Sequence, residues 1–152
     1  MICSPFHPMM MARSDSPYKL KRLSTGEILA DRIENTIGSP VWSQDNRTLL
    51  YLEVNDQWRP FQVRSHQLGA DPINDPILYE EEDNSFFVGL DRTRSRAYLL
   101  ITTGDHVTNE TRVLPATDPS AAPALIAPRE TEHEYHVAHA GDLYLYPYER
   151  HA

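Results

Sequence analysis

From Tyr18 onward the chain reads as short apolar runs, each bounded by turn residues, with no helical spacing between them. Tyr18 to Leu23 (YKLKRL) alternates apolar and basic residues, the pattern of a half-buried strand. Ser24-Thr25-Gly26-Glu27 then predicts a turn, and Ile28-Leu29 begins a second short strand. After Gly38-Ser39-Pro40 the predicted order is PVWS (Pro40 to Ser43), a turn at Gln44 to Arg47, TLLYLEV (Thr48 to Val54), FQVRSH (Phe61 to His66) and PILYEE (Pro76 to Glu81). These are four strands in succession.

The same order then recurs as FFVGL (Phe86 to Leu90), a turn at Asp91 to Arg94, AYLLITT (Ala97 to Thr103), ETRVL (Glu110 to Leu114) and ALIAP (Ala124 to Pro128). A third round opens with EYHVAH (Glu134 to His139), turns at Ala140-Gly141 and continues as DLYLY (Asp142 to Tyr146). Matched positions set the period: Trp42 to Val88 is 46 residues, Val88 to Val137 is 49, Thr48 to Ala97 is 49, Ala97 to Asp142 is 45 and Ile77 to Leu125 is 48. A repeat of this length holding four antiparallel strands is what a β-propeller blade requires. One blade cannot bury both of its apolar faces, so blades must stack; Trp42, Tyr51, Phe87 and Tyr98 supply bulk for that packing. A β-sandwich with coincidental spacing is the competing all-β reading.

The expected fold is therefore all-β, an incomplete propeller forming an open arc. Residues 1–17 read as an irregular lead-in, 18–38 as the last two strands of one blade, 39–82 and 83–130 as full blades, and 131–152 as the first two strands of a further blade. On this phase the chain is expected to be cut at both ends.

Composition narrows the partners. With 22 acidic against 14 basic residues the formal charge is −8, which argues against nucleic acid and favours cationic partners such as peptides rich in Lys and Arg. Cys3 is the single cysteine, so no intrachain disulfide is expected. No apolar run is long enough to span a membrane, and the start, broken by Pro5, His7 and Pro8, lacks the pattern of a signal peptide. The reading is a soluble, untargeted, cytoplasmic chain.

Five segments, in order, resemble the N-terminal propeller of the prolyl oligopeptidase family of serine peptidases, and within it the oligopeptidase B branch. They are LSTGEILADRIENT (Leu23 to Thr36), VWSQDNRTLLYL (Val41 to Leu52), RPFQVRSHQLG (Arg59 to Gly69), DPILYEEEDNSFFVGLDRTRSRAYLLI (Asp75 to Ile101) and PRETEHEYHVAHAGDLYL (Pro128 to Leu145). The resemblance covers residues 18 to 146; residues 1 to 17 and 147 to 152 depart from it. It implies a propeller that caps an α/β-hydrolase domain holding a Ser, Asp and His triad and admits only short peptides, cleaved in this branch after Arg or Lys. None of that hydrolase domain is expected in this chain.

The residues bear this out as an expectation of no chemistry in the chain itself. No G-x-S-x-G nucleophile elbow occurs, and Ser39, which follows Gly38, is followed by Pro40 rather than by a helix. No catalytic residue is assigned. His133, His136 and His139 have a spacing of three, but on a strand such residues point to opposite faces, so no metal site and no cofactor is expected. Glu80, Glu81, Glu82 and Asp83 form the sharpest acidic run, a candidate for recruiting cationic substrate, with a solvated loop as the simpler account. Arg59, Arg64, Arg92, Arg94, Arg96 and Arg129 are candidates for inter-blade or inter-domain ion pairs with Asp31, Glu34 or Glu80. The rival functional class is a free-standing propeller-type module that binds a peptide or protein. Self-association through exposed blade faces is expected of an open arc.

Overall fold

The computed structural model describes residues 17–145 and 149–150. Strands β1 (Tyr18–Lys21) and β2 (Ile28–Ile33) form an antiparallel pair. Next come β3 (Thr36–Trp42), β4 (Thr48–Val54), β5 (Pro60–Gln67) and β6 (Ile77–Glu80), which make a four-stranded meander in the order β3-β4-β5-β6. A second meander follows from β7 (Phe87–Arg92), β8 (Tyr98–Gly104), β9 (Asn109–Pro115) and β10 (Ala124–Ala127), in spatial order β7-β8-β9-β10. The chain continues with β11 (His133–Glu134), β12 (Ala138–Ala140), β13 (Leu143–Leu145) and β14 (Glu149–Arg150), β12 pairing with β13 and β11 with β14. Every pairing is antiparallel, and the sheets stand in a row without closing: a segment of a β-propeller.

Strand β4 explains why the sheets stack. Its run Thr48-Leu49-Leu50-Tyr51-Leu52 is apolar on both faces because both faces are covered. Leu49 and Tyr51 point to the first sheet, where they pack with Ile33, Tyr18, Leu20 and Trp42. Leu50 and Leu52 point the other way, into a larger cluster with Val63, Val88, Leu99, Ile101, Leu114 and Ala116 between the second and third sheets. Alternation along a strand sends neighbouring side chains to opposite faces, so one strand serves two interfaces. Each fully buried Leu contributes about 1.5–3 kcal/mol by leaving water.

The two meanders also share their turn chemistry, fifty residues apart. Ser43 closes the β3–β4 turn through its backbone N–H to the Thr48 carbonyl (2.9 Å), while its hydroxyl accepts from the Thr48 N–H (3.2 Å). Thr93 does the same for β7–β8, with Tyr98 in place of Thr48 (3.0 and 3.2 Å). Asn46 and Arg96 both take positive φ, 57° and 61°. This pushes the second turn to Thr93–Ala97, so β7 runs on to Arg92 past the Leu90 end expected from its apolar pattern.

Two further expectations are corrected. The strand expected from Pro40 begins at Thr36, and Gly38-Ser39-Pro40 is a bulge inside it: pairing with β4 jumps between Ile37 and Val41, Gly38 has φ 74°, and its carbonyl accepts from the Tyr18 hydroxyl of the first sheet. Pro40 has no N–H to give a ladder, and a bulge tolerates that. EYHVAH, in turn, is not one strand. Tyr135 leaves the ladder because both its backbone groups are taken by the Asn109 side chain (2.9 and 3.0 Å). Its hydroxyl accepts from the Thr111 N–H (2.7 Å) and donates to the Ala127 carbonyl (2.6 Å), tying it to β9 and β10.

The β8–β9 hairpin leaves no room at Gly104, where a Cβ would lie 2.5 Å from the Thr108 carbonyl oxygen and 2.7 Å from the Asn109 Cβ. Gly104→Ala must therefore open the turn that positions Asn109. The expected loss is about 1–3 kcal/mol, read as a lowered urea midpoint with an unchanged slope.

Candidate functional site

The connections β4–β5, β6–β7 and β10–β11 are tied together by Arg59 and Arg129, and the acidic run lies there, while the other charged residues singled out by sequence lie elsewhere. The acidic run divides among four environments. Glu80, at the end of β6, is exposed and accepts from the Gln62 amide (2.8 Å). Glu82 is exposed. Asp83 is exposed, and the Ser85 N–H, which donates to it (2.8 Å), holds its carboxyl below the usual range. Glu81 alone is buried, with 5% of its side chain exposed.

Glu81 is the hinge point of an ionic cluster between the second and third sheets. It accepts from Arg129 Nη1 (2.9 Å), the Tyr79 hydroxyl (2.9 Å) and the Asp83 N–H (3.0 Å). Arg129 also approaches Glu110 (3.8 Å), to which it donates through its backbone N–H (3.1 Å), and its guanidinium lies over the Phe86 ring at 4.1 Å. Glu110 accepts in addition from Arg112 (2.6 Å), which stacks 4.4 Å over the Tyr79 ring. Burial by itself would raise the Glu81 carboxyl. The Asp83 N–H, the Arg129 guanidinium and the Tyr79 hydroxyl overcome it and hold the group below its ordinary value. Burial likewise works against the Arg129 cation, but Glu81 and Glu110 raise it.

The other candidate partners separate. Glu34 pairs with Arg32 (3.0 Å) on the exposed face of β2 and its continuation. Asp31 is buried and meets not an arginine but His66 (3.2 Å) and the Gly69 N–H (2.8 Å). Arg64 pairs with Glu53 (2.6 Å), and Arg92 reaches the Trp42 carbonyl (3.4 Å). Arg94 and Arg96 are exposed in the β7–β8 turn. Arg59, buried, donates to the carbonyls of Asp83 and Phe86 and so clamps the β6–β7 connection from the β4–β5 turn.

Of the histidines, His133 lies 3.9 Å from Glu130, His136 is exposed and His139 meets the Ser95 hydroxyl (2.8 Å) beside Tyr98. Among the described residues no group of His, Cys, Asp and Glu is arranged to hold a metal ion. Ser95 sits in a strand-to-strand turn, not in the strand-to-helix turn that makes a hydrolase serine reactive. The residues that sequence reasoning missed are His66, Glu110 and Arg112. They lie on β5 and β9 among other polar residues, so nothing in the local pattern singles them out or names a partner.

Because the folded-state pKa of Glu81 is depressed, its contribution to stability is whole above the ordinary glutamate range and is lost as pH falls through the folded value. Glu81→Gln is expected to flatten the acid limb of stability against pH. Arg129→Ala, which leaves buried Glu81 without its cation and Glu110 with Arg112 alone, is expected to cost about 2–4 kcal/mol at neutral pH in urea unfolding.

Residues 15–152 match the family model described as "Prolyl oligopeptidase, N-terminal beta-propeller domain". The chain is similar to dipeptidyl aminopeptidase BI of Pseudoxanthomonas mexicana, with 38% identity over 128 residues, 84% of this chain and 18% of that protein. It is also similar to protease 2 of Moraxella lacunata, 29% identical over 125 residues, 81% of this chain and 18% of the relative. Among solved structures it superposes on oligopeptidase B from Leishmania major with a TM-score of 0.76 and 26% identity, over 84% of this chain and 18% of that one. The chain thus spans about a fifth of the length of the proteins it matches. Its stacked four-stranded sheets and this match together place it, as part of the N-terminal β-propeller domain, in the prolyl oligopeptidase family.

Proposed function

We propose that the chain supplies a run of blades to the gating propeller of an oligopeptidase B-like serine peptidase, whose whole protein hydrolyses short peptides after Arg or Lys. In that protein its partner is an α/β-hydrolase domain, and the blades act as a chamber wall rather than as a catalyst. The observation that carries this reading is the match to the family's propeller domain over residues 15–152. A wall of this kind needs its sheet faces buried against neighbours and only its ends open. Apolar packing on both faces of β4 suits that requirement.

The charge of the open end supports the choice of substrate. Asp56, Glu82, Asp83, Glu130 and Glu132 are exposed on the connections gathered there, while Arg59 and Arg129 are drawn inward. Such an end attracts a cationic peptide before it reaches a catalytic centre. Within the acidic run, Glu80, Glu82 and Asp83 take the recruiting role, and Glu81 instead holds Arg129. Self-association through uncovered blade faces is the corresponding behaviour proposed for the chain alone.

Incubated with a fluorogenic Arg-Arg peptide, the purified chain is expected to give no turnover sensitive to serine-hydrolase inhibitors; such turnover would refute the gating role. In a complete two-domain enzyme carrying these blades, replacing Glu80, Glu82 and Asp83 by their amides is expected to lower kcat/KM for basic peptides about two- to tenfold at low salt and to flatten its salt dependence. An unchanged salt dependence would remove recruitment from the proposal.

A further inference from the structure

The first sheet is joined to the second by more than its apolar cluster. His66, at the end of β5, has no exposed side-chain surface, and each of its ring nitrogens faces a buried carboxylate. Nδ1 lies 2.9 and 3.0 Å from the two oxygens of Asp75, on the segment linking β5 to β6; Nε2 lies 3.2 Å from Asp31 Oδ1, on β2 of the first sheet. The carboxylates are fixed in turn. Asp31 accepts from the Gly69 N–H (2.8 Å), Asp75 accepts from the Tyr51 hydroxyl (3.0 Å), and the Asp75 N–H caps a 3-10 turn at Pro72–Asn74 (3.1 Å).

Counting protons decides what this arrangement needs. A nitrogen facing a carboxylate oxygen at hydrogen-bond distance requires a proton between them, so Asp31, His66 and Asp75 together hold two. The charged and titratable groups nearby are few. On β5, Arg64 reaches the Asp75 carbonyl (3.4 Å) but is paired with Glu53 of β4 (2.6 Å). Tyr51, on β4, stays protonated because burial and the Asp75 carboxylate push its hydroxyl upward. Glu27 and Asp71 line an open cavity of about 430 Å³ beside Asp31, and Asp71 with Asp75 lines a second, of about 390 Å³, on the other side of the 69–75 segment. The cavities border the residues that carry the two carboxylates, while the His66 ring has no exposed surface.

We propose that Asp31, His66 and Asp75 form a proton-held clasp between the first and second sheets, with both ring nitrogens donating, and that losing one of its two protons uncouples the sheets. Once a ring nitrogen carries a lone pair, it repels the carboxylate oxygen it faces, and the buried ring has no water to turn to. A rise in pH that takes this proton from the triad therefore releases the clasp. The elements that the triad ties to β5 are β2, with β1 paired to it, and the 69–75 segment, so these are the ones that loosen.

The test uses the full chain labelled with ¹⁵N-histidine. Long-range ¹H–¹⁵N spectra across a pH series report whether both nitrogens of His66 carry protons, and amide hydrogen exchange, corrected for intrinsic rate, reports the joint. Both nitrogens are expected in the protonated range at the acid end. As that signal is lost, protection at Ile28–Ile33 and at residues 69–75 is expected to fall at least about tenfold relative to β8–β9. In Asp31→Asn that step is expected to disappear. A ring with one unprotonated nitrogen throughout, or a loss of the protonated signal without a change in relative protection, would overturn the proposal. The wild-type titration decides the matter even if the variant does not fold.

Discussion

Strand β4 has no face to water, and the rest of the structure follows from that. Its inward and outward side chains are equally apolar, so the sheet that contains it is stable only between two others. A twisted sheet buried on both sides cannot leave charge unpaired on its faces. Charge that enters the stack is paired there, Glu81 with Arg129 at one joint and Asp31 with His66 at the other.

The two joints use different polar means for the same task. Between the second and third sheets the contact is a guanidinium shared by two carboxylates and laid over an aromatic ring. A planar, always-charged group suits that position because its fork can serve two acceptors at once. Between the first and second sheets the central group is an imidazole, whose hydrogen-bonding capacity depends on its protons. The joint to the fourth sheet uses neutral groups: Asn109 takes both backbone groups of Tyr135. Each device satisfies groups that stacking would otherwise strand away from water.

These interlocks also separate structural from functional charge. Of the four neighbouring acids at residues 80–83, burial sorts one from three. Glu81 is used in holding the joint, and the others keep their charge at the surface. Arg59, which by composition is one more cation, spends its donors on the carbonyls of Asp83 and Phe86 and so shapes the loop that displays those acids.

The sequence by itself determined the all-β class, the four-strand repeat and its period, because alternation, turn residues and apolar runs are local properties and a stacked repeat must echo them every blade. The ordered segments from Leu23 to Leu145 carried the family with them. What it could not determine was which polar residue meets which. Asp31 was matched to arginines and found a histidine 35 residues away, and Arg129, matched to Asp31, Glu34 or Glu80, found Glu81 and Glu110. Tyr135 had the pattern of a strand and was pulled from it by Asn109. Such pairings depend on how neighbouring sheets twist and settle against each other, a geometry that no single strand encodes, and only the tertiary structure decides them.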